Sequence, residues 1–211
     1  MRLGTYYRSS LLRRLGLDAV TGRVLDIGGF DGYWAASLEG VEPYLIDVDP
    51  QPAYPRVRYI RADGLRLPFR SAVFDVVFAI EVIEHVPDEQ QLLNEAMRVL
   101  RPGGRLILTT PNDSIRIFPK ALQPWIDRRW GHDRVRGFSA EHLRNLLKRE
   151  GVADARILPM AVSAFRNGYL ALSLVWRLPG PLGRWVASIA AAWDSRHLEG
   201  DRGLVLVQVT R

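Results

Sequence analysis

Along the first half of the chain the apolar positions alternate between two periods. VLDIG (24–28), PYLIDVD (43–49), VRYIRAD (57–63), FDVVFAI (74–80) and RLILTTP (105–111) are short apolar runs that close at acidic or turn residues. Runs of this length predict buried strands. GYWAASLEG (32–40) and EQQLLNEAMRVL (89–100) instead place apolar residues at helical spacing. YYRSSLLRRLGL (6–17) predicts a helix ahead of the first strand, with Leu11, Leu12 and Leu15 on one stripe, and RPGG (101–104) predicts a turn. Continuous apolar strands separated by helices imply a parallel sheet covered on both faces.

The second half has a different pattern. Residues 112–138 mix prolines, aromatics and arginines without a period and read as an irregular excursion. SAEHLRNLLKREG (139–151) predicts a helix in which Ser139 caps the start, Glu141 suits the first turn and Gly151 ends it. ARILPM (155–160) and GLVLVQVTR (203–211) predict the last two strands, around an apolar stretch at 163–198 broken by LPGPLG. The expected organisation is one domain over 1–211, with 112–138 and 161–200 as substrate-side insertions or a lid.

Composition narrows the chemistry. The 211 residues carry a formal net charge of +6, and the only lysines are Lys120 and Lys148. Scattered arginine without dense basic runs reads as a solvated surface, which disfavours nucleic acid as the partner. Cysteine is absent, which removes disulfides, thiolate catalysis and cysteine-ligated zinc. The N-terminal stretch lacks an apolar core of signal-peptide length, and NGYLALSLVW (167–176) is too short to span a bilayer. These features predict a cytoplasmic protein, and a monomer or homodimer is the expected state. The 163–198 stretch reads as core or lid. If exposed, Trp176, Arg177, Arg184 and Trp185 would form a basic-aromatic surface suited to peripheral contact with lipid headgroups.

VLDIGGFDGYW (24–34) runs from a strand through a glycine-rich turn into a helix. Such a turn brings backbone N–H groups to a ligand at a helix N-terminus. Asp26 decides which ligand. A carboxylate there repels a dinucleotide pyrophosphate, which argues against an NAD-dependent oxidoreductase. It suits the ammonium and sulfonium of S-adenosylmethionine. Asp47 at the end of the second strand can accept from both ribose hydroxyls, and Asp63 at the end of the third from the adenine amino group. All three sit at the carboxyl ends of strands, where an open α/β sheet holds its ligand.

VLDIGGFDG, LIDVDP, ADGLRLPF, FDVVFAIEVIEHVPD and LRPGGRLILTTPN together resemble the class I S-adenosylmethionine-dependent methyltransferases. The resemblance covers roughly residues 22–160 and is strongest to small methyltransferases of the quinone-biosynthesis O-methyltransferase type. It implies a Rossmann-like, doubly wound α/β fold: a seven-stranded sheet, mostly parallel with an antiparallel last strand, and helices on both faces. It places Asp26, Gly28 and Gly32 around the methionine portion, Asp47 on the ribose and Asp63 on the adenine. Val48 and Gly64 lie beside these acids, and Ile80 and Glu81 lie beside the sulfonium. Phe30 departs from the pattern, which has a third glycine there. Phenylalanine does not take a positive φ cheaply. Gly29 is therefore expected to absorb the unusual dihedrals, with Phe30 packing near cofactor or substrate.

If residues 81–85 begin a helix, Glu81, Glu84 and His85 share a face. Two carboxylates and an imidazole there, with His132 nearby, can hold Mg²⁺ or another divalent ion. Similar E-x-x-E-H stretches supply metal ligands in quinone-biosynthesis O-methyltransferases and in 2′-O-methyltransferases of small RNAs. Without a metal, His85, Glu84 or His132 can remove the proton of an acceptor hydroxyl. TTPN differs from the NPPY-like strand end linked to methylation of base amines. The expected reaction is O-methylation of a small molecule, lipid precursor or sugar. An RNA methyltransferase and a non-catalytic binding module of the same fold are the alternatives.

Overall fold

A computed structural model describes residues 2–113, 115, 121, 124–125, 128, 137–152, 155–178, 181–198, 200 and 203–211. The strands are β1 (Gly22–Ile27), β2 (Val41–Asp47), β3 (Arg58–Arg61), β4 (Phe74–Ile80), β5 (Leu100–Pro111), β6 (Ala155–Met160) and β7 (Leu204–Thr210). The helices are α1 (Leu3–Arg14), α2 (Tyr33–Ser37), α3 (Glu89–Val99), α4 (Ala140–Arg149), α5 (Ser163–Trp176) and α6 (Leu182–Arg196). The seven strands form one sheet in the order β3-β2-β1-β4-β5-β7-β6. Strands β1 to β5 pair in parallel, and β7 runs antiparallel to both β5 and β6. This is the doubly wound sheet expected from the sequence, including its antiparallel last strand.

The period of two along each strand sends side chains to opposite faces and so builds two cores. Leu25, Ile27, Val77 and Ala79 pack on one face with Leu92, Leu93 and Ala96 of α3 and Leu143, Leu146 and Leu147 of α4. Val24, Val76, Phe78 and Ile107 pack on the other with α1, Trp34 of α2, α5 and α6. Each fully buried Leu, Ile or Phe contributes about 1.5–3 kcal/mol to holding its layer.

Several boundaries move from the sequence expectation. Helix α1 starts at Leu3, three residues early, because Leu3, Tyr7 and Leu11 recur every four residues and all are buried. Strand β5 starts at Leu100 and takes in RPGG, which had read as a turn; its register against β4 shifts between Phe74 and Val76. The 163–198 stretch folds as the helical pair α5 and α6. The caps at Asp88 and Ser139 form: Asp88 accepts from the N–H of Gln91, and Ser139 from that of His142.

Asp194 of α6 is fully buried on the α1 side of the sheet. Its carboxylate accepts from Tyr7 Oη (2.5 Å), Ala164 N (2.7 Å) and Phe165 N (3.1 Å). It therefore closes the start of α5, whose own N-cap, Val162, offers no side-chain acceptor. One carboxylate fastens α1, α5 and α6 together.

Candidate active site

A cavity of about 880 Å³ opens at the carboxyl ends of β1, β2 and β4. That is within the usual range for small-molecule sites. Its wall includes Asp26, Gly28, Gly29, Phe30, Asp47, Ile80, Glu81, Glu84 and His85, nine of the residues singled out from sequence. Helix α1 adds Tyr7 and Arg8, and α5 adds Phe165, Tyr169, Trp176 and others. Gly32, Val48, Asp63 and Gly64 lie outside this wall. Gly64 is buried against Leu92 and Ile27, whereas Val48 and Asp63 are exposed.

The glycine loop reaches its shape by a route the sequence did not suggest. Phe30 itself takes the positive φ, +47°, between Gly28 at +71° and Gly32 at +78°; Gly29 does not. The loop is held in place by neighbours: Phe30 N donates to Asp47 Oδ2 (3.1 Å), and Phe30 O accepts from Gln51 N (2.9 Å). The Arg2 guanidinium lies 4.3 Å over the Phe30 ring. Gly29 is required by close packing, since a Cβ there would come within 2.4 Å of Asp26 Oδ2 and 2.6 Å of Leu45. Among the described residues, the positive-φ residues other than glycine are Phe30, Ala72, Glu81 and Val162, and all except Ala72 line the cavity. Backbone strain of this kind costs about 1–3 kcal/mol per residue and concentrates at functional sites.

Asp26 forms the floor. It is 2% exposed, and its Oδ2 has no hydrogen-bond partner among the described residues. Burial, with the charges of Asp47 and Asp31 adding to it, pushes its carboxyl up to about 8. A buried acceptor without a partner under a glycine loop is a place for a cationic donor. Asp47 accepts from Phe30 N on one oxygen and from Asp49 N (2.9 Å) on the other. Each oxygen retains a second lone pair for a hydroxyl. Asp63 accepts from Leu65 N (2.9 Å). Its loop is pinned where Glu95 accepts from Leu67 N and Arg98 donates to Phe69 O and Leu67 O. The donor set thus fits S-adenosylmethionine: an acidic floor, a carboxylate for hydroxyls, and a loop without side-chain bulk at Gly28 and Gly29.

Beyond β4 the chain forms a turn and not the helix that would have put Glu81, Glu84 and His85 on one face. Glu81 takes φ +57°, with its N–H on Thr109 O (2.9 Å) and its Oε1 accepting from Thr109 Oγ1 (3.2 Å). Its other oxygen lies 3.6 Å from the Arg8 guanidinium. Arg8 therefore neutralises the carboxylate that a metal would need. Glu84 is 3% exposed and accepts from Thr110 Oγ1 (3.0 Å), while its Oε1 lies 3.8 Å from His85 Nε2. Burial raises both glutamates, and the charge of Glu81 adds to the effect on Glu84, which is held well above the usual carboxylate range. Among the described residues no three His, Asp or Glu side chains gather in a metal-binding cluster, so the divalent-ion expectation finds no support. His132 and most of the 112–138 excursion lie outside the described residues. Arg8 was missed because a lone arginine in a helix 73 positions before Glu81 carries no local signal.

Residues 2–155 match the family described as methyltransferase domain. An uncharacterised methyltransferase of Mycobacterium sp. (strain KMS) is 42% identical over 94 residues, 41% of this chain and 37% of that protein. The ubiquinone biosynthesis O-methyltransferase of Azorhizobium caulinodans is 34% identical over 140 residues, 58% of this chain and 55% of that protein. The chain thus spans little more than a third of the length of the mycobacterial relative. Among solved structures, an S-adenosylmethionine-dependent methyltransferase from Thermotoga maritima superposes with a TM-score of 0.64 at 19% identity, covering 97% of this chain and 88% of that one. At that identity the likeness concerns the fold.

Proposed function

Because the chain belongs to the methyltransferase domain family, we propose that it is an S-adenosylmethionine-dependent methyltransferase acting on a hydroxyl of a small molecule, lipid precursor or sugar. The observation that carries the reading is the buried, unpartnered Oδ2 of Asp26 beneath the glycine loop. Asp26 would hold the ammonium, Asp47 the ribose hydroxyls and Asp63 the adenine amino group. Ile80 and Glu81 would flank the sulfonium. Bound there, S-adenosylmethionine supplies an activated methyl group. The chain's part is to hold an acceptor in line and exclude water, which can contribute on the order of 7–11 kcal/mol. Tyr169 and Trp176 of α5 line the same cavity, which supports reading 161–200 as its substrate-side wall.

An oxygen acceptor must also lose a proton. Glu84 binds a proton more tightly than an ordinary carboxylate, as a base for a hydroxyl should. His85, with a side chain 39% exposed and 3.8 Å from Glu84, then carries the proton to solvent. The name of the A. caulinodans relative supports oxygen as the accepting atom.

Glu84→Gln keeps the shape of the side chain and its contact with Thr110 but cannot take the proton. Turnover is expected to fall by roughly 10²–10⁴, with the affinity for S-adenosylhomocysteine within a few-fold of wild type. In wild type kcat should rise with pH as the raised Glu84 ionises, and the variant should lose that limb. Radiolabelled methyl transfer to a panel of phenols, sugars and amines reads both. Equal turnover by the variant on hydroxyl acceptors would remove Glu84 from the role.

A further inference from the structure

We infer that the outer face of the α5–α6 hairpin docks the protein on an anionic lipid surface. Leu174 and Leu178 at the end of α5, and Leu182, Trp185, Ile189 and Trp193 along α6, are exposed large apolar side chains. On α6 the residues 182, 185, 189 and 193 fall at helical spacing, opposite a buried stripe of Gly183, Ala187, Ala190, Ala191 and Asp194. The helix thus has one face fixed in the core and a second apolar face left outside. Soluble surfaces seldom carry such a contiguous set without an occupant.

Charge identifies the occupant. From Ala155 to Trp193 the sequence has no Asp or Glu, but has Arg156, Arg166, Arg177 and Arg184. Arg177 and Arg184 are exposed beside the leucines and Trp185. Tryptophan with arginine suits the boundary between headgroups and acyl chains, where an indole ring is half in each phase and a guanidinium meets phosphate. A second copy fits less well, because a twofold contact sets each patch against itself and brings arginine to arginine without an acid between them. No helix among the described residues is long and apolar enough to cross a membrane, so the contact is peripheral. The hairpin also lies beyond residues 2–155, the part shared with the family.

The placement bears on the substrate. Helix α5 and the turn after it carry the exposed Leu174 and Leu178, while Tyr169, Ser173 and Trp176 of the same helix line the cavity. A chain docked by this hairpin holds the cavity beside the lipid surface, where amphiphiles are the accessible acceptors. This consequence rests on the methyl-transfer reading; the docking itself does not.

The test is sedimentation of the full chain with vesicles of phosphatidylcholine alone or with a third phosphatidylglycerol. Saturable binding to the anionic vesicles is expected, with a blue shift of tryptophan emission, and it should weaken as salt is raised. Trp185→Ser with Trp193→Ser should abolish the shift and lower partitioning by at least tenfold. Arg184→Glu should lower it by on the order of tenfold. Binding of S-adenosylhomocysteine by these variants, unchanged, shows that they fold and separates failure of docking from failure of the methyl-transfer reading. No binding to anionic vesicles, or binding that the tryptophan replacements leave intact, would overturn the inference. A dimer in solution that dissociates on Trp185→Ser would overturn it in favour of a protein interface.

Discussion

Asp26→Asn is expected to weaken S-adenosylhomocysteine binding by roughly hundredfold, about 3 kcal/mol, and at the same time to stabilise the unliganded chain at pH 8. Both effects follow from one oxygen. A buried carboxylate that meets an ammonium makes a charge-assisted hydrogen bond, and removing one partner of a buried pair costs about 3–5 kcal/mol. Without ligand the same carboxylate lies in a dry pocket near Asp47 and Asp31, and its carboxyl is pushed from 3.8 up to about 8. Below about pH 4 folded and unfolded chains both hold the proton. Between pH 4 and 8 only the unfolded chain gives it up, so folding stability falls as pH rises; above 8 the loss levels off. Asparagine removes this loss, so the stabilisation should be absent near pH 4 and grow toward pH 8. The same linkage requires wild-type affinity for the ligand to fall by about tenfold for each unit below pH 8. Thermal melts with and without ligand at pH 4, 6 and 8 would check each part. Weaker binding with no change in the pH dependence of stability would show that Asp26 is an ordinary solvated carboxylate.

Asp194→Ala should be among the most destabilising single changes, costing about 3–5 kcal/mol. The substitution leaves Tyr7 Oη and the N–H groups of Ala164 and Phe165 without acceptors in a dry layer. Each orphaned buried donor costs about 1–3 kcal/mol. Tyr7 stacks on Phe165 at 4.2 Å, so the hydrogen bonds and the ring packing are lost together. Because α1 supplies Arg8 and α5 supplies Tyr169 and Trp176 to the cavity, the loss should extend to ligand affinity. Asp194→Asn retains one acceptor oxygen and should fall between alanine and wild type. Urea melts of the three proteins would rank them, and an alanine variant as stable as wild type would remove the clamp.

The fold was legible because its determinants are local. Each strand is a short apolar run between turn residues, and the parallel order follows from alternation with helices. Asp26 and Asp47 could be placed at one cavity for the same reason: they stand at strand ends, and the sheet brings strand ends together, whereas Asp63, two residues beyond β3, falls outside the cavity wall. The details that depend on distant contacts were not legible. Gly29 looked like the residue that would take the unusual dihedral, yet its constraint comes from Asp26 and Leu45, and Phe30 bends because Asp47 and Gln51 hold it. A helix from Glu81 would have gathered Glu81, Glu84 and His85 on one face, but Thr109 and Arg8 hold Glu81 in a turn. Asp194 carries no local signal of its role, because its partner Tyr7 is 187 positions away. Buried polar partners joined over such separations leave no periodic trace in sequence.

The central claim is that the loop at residues 28–32, with Asp26 beneath it, holds a methyl donor. Calorimetric titration of the full chain with S-adenosylhomocysteine at pH 7, in two buffers of different ionisation enthalpy and with NAD as the control, tests it most directly. The account predicts saturable binding with release of about one proton, from Asp26, and no binding of NAD. Binding of NAD as tight as that of the thioether, or no binding of the thioether, would contradict it.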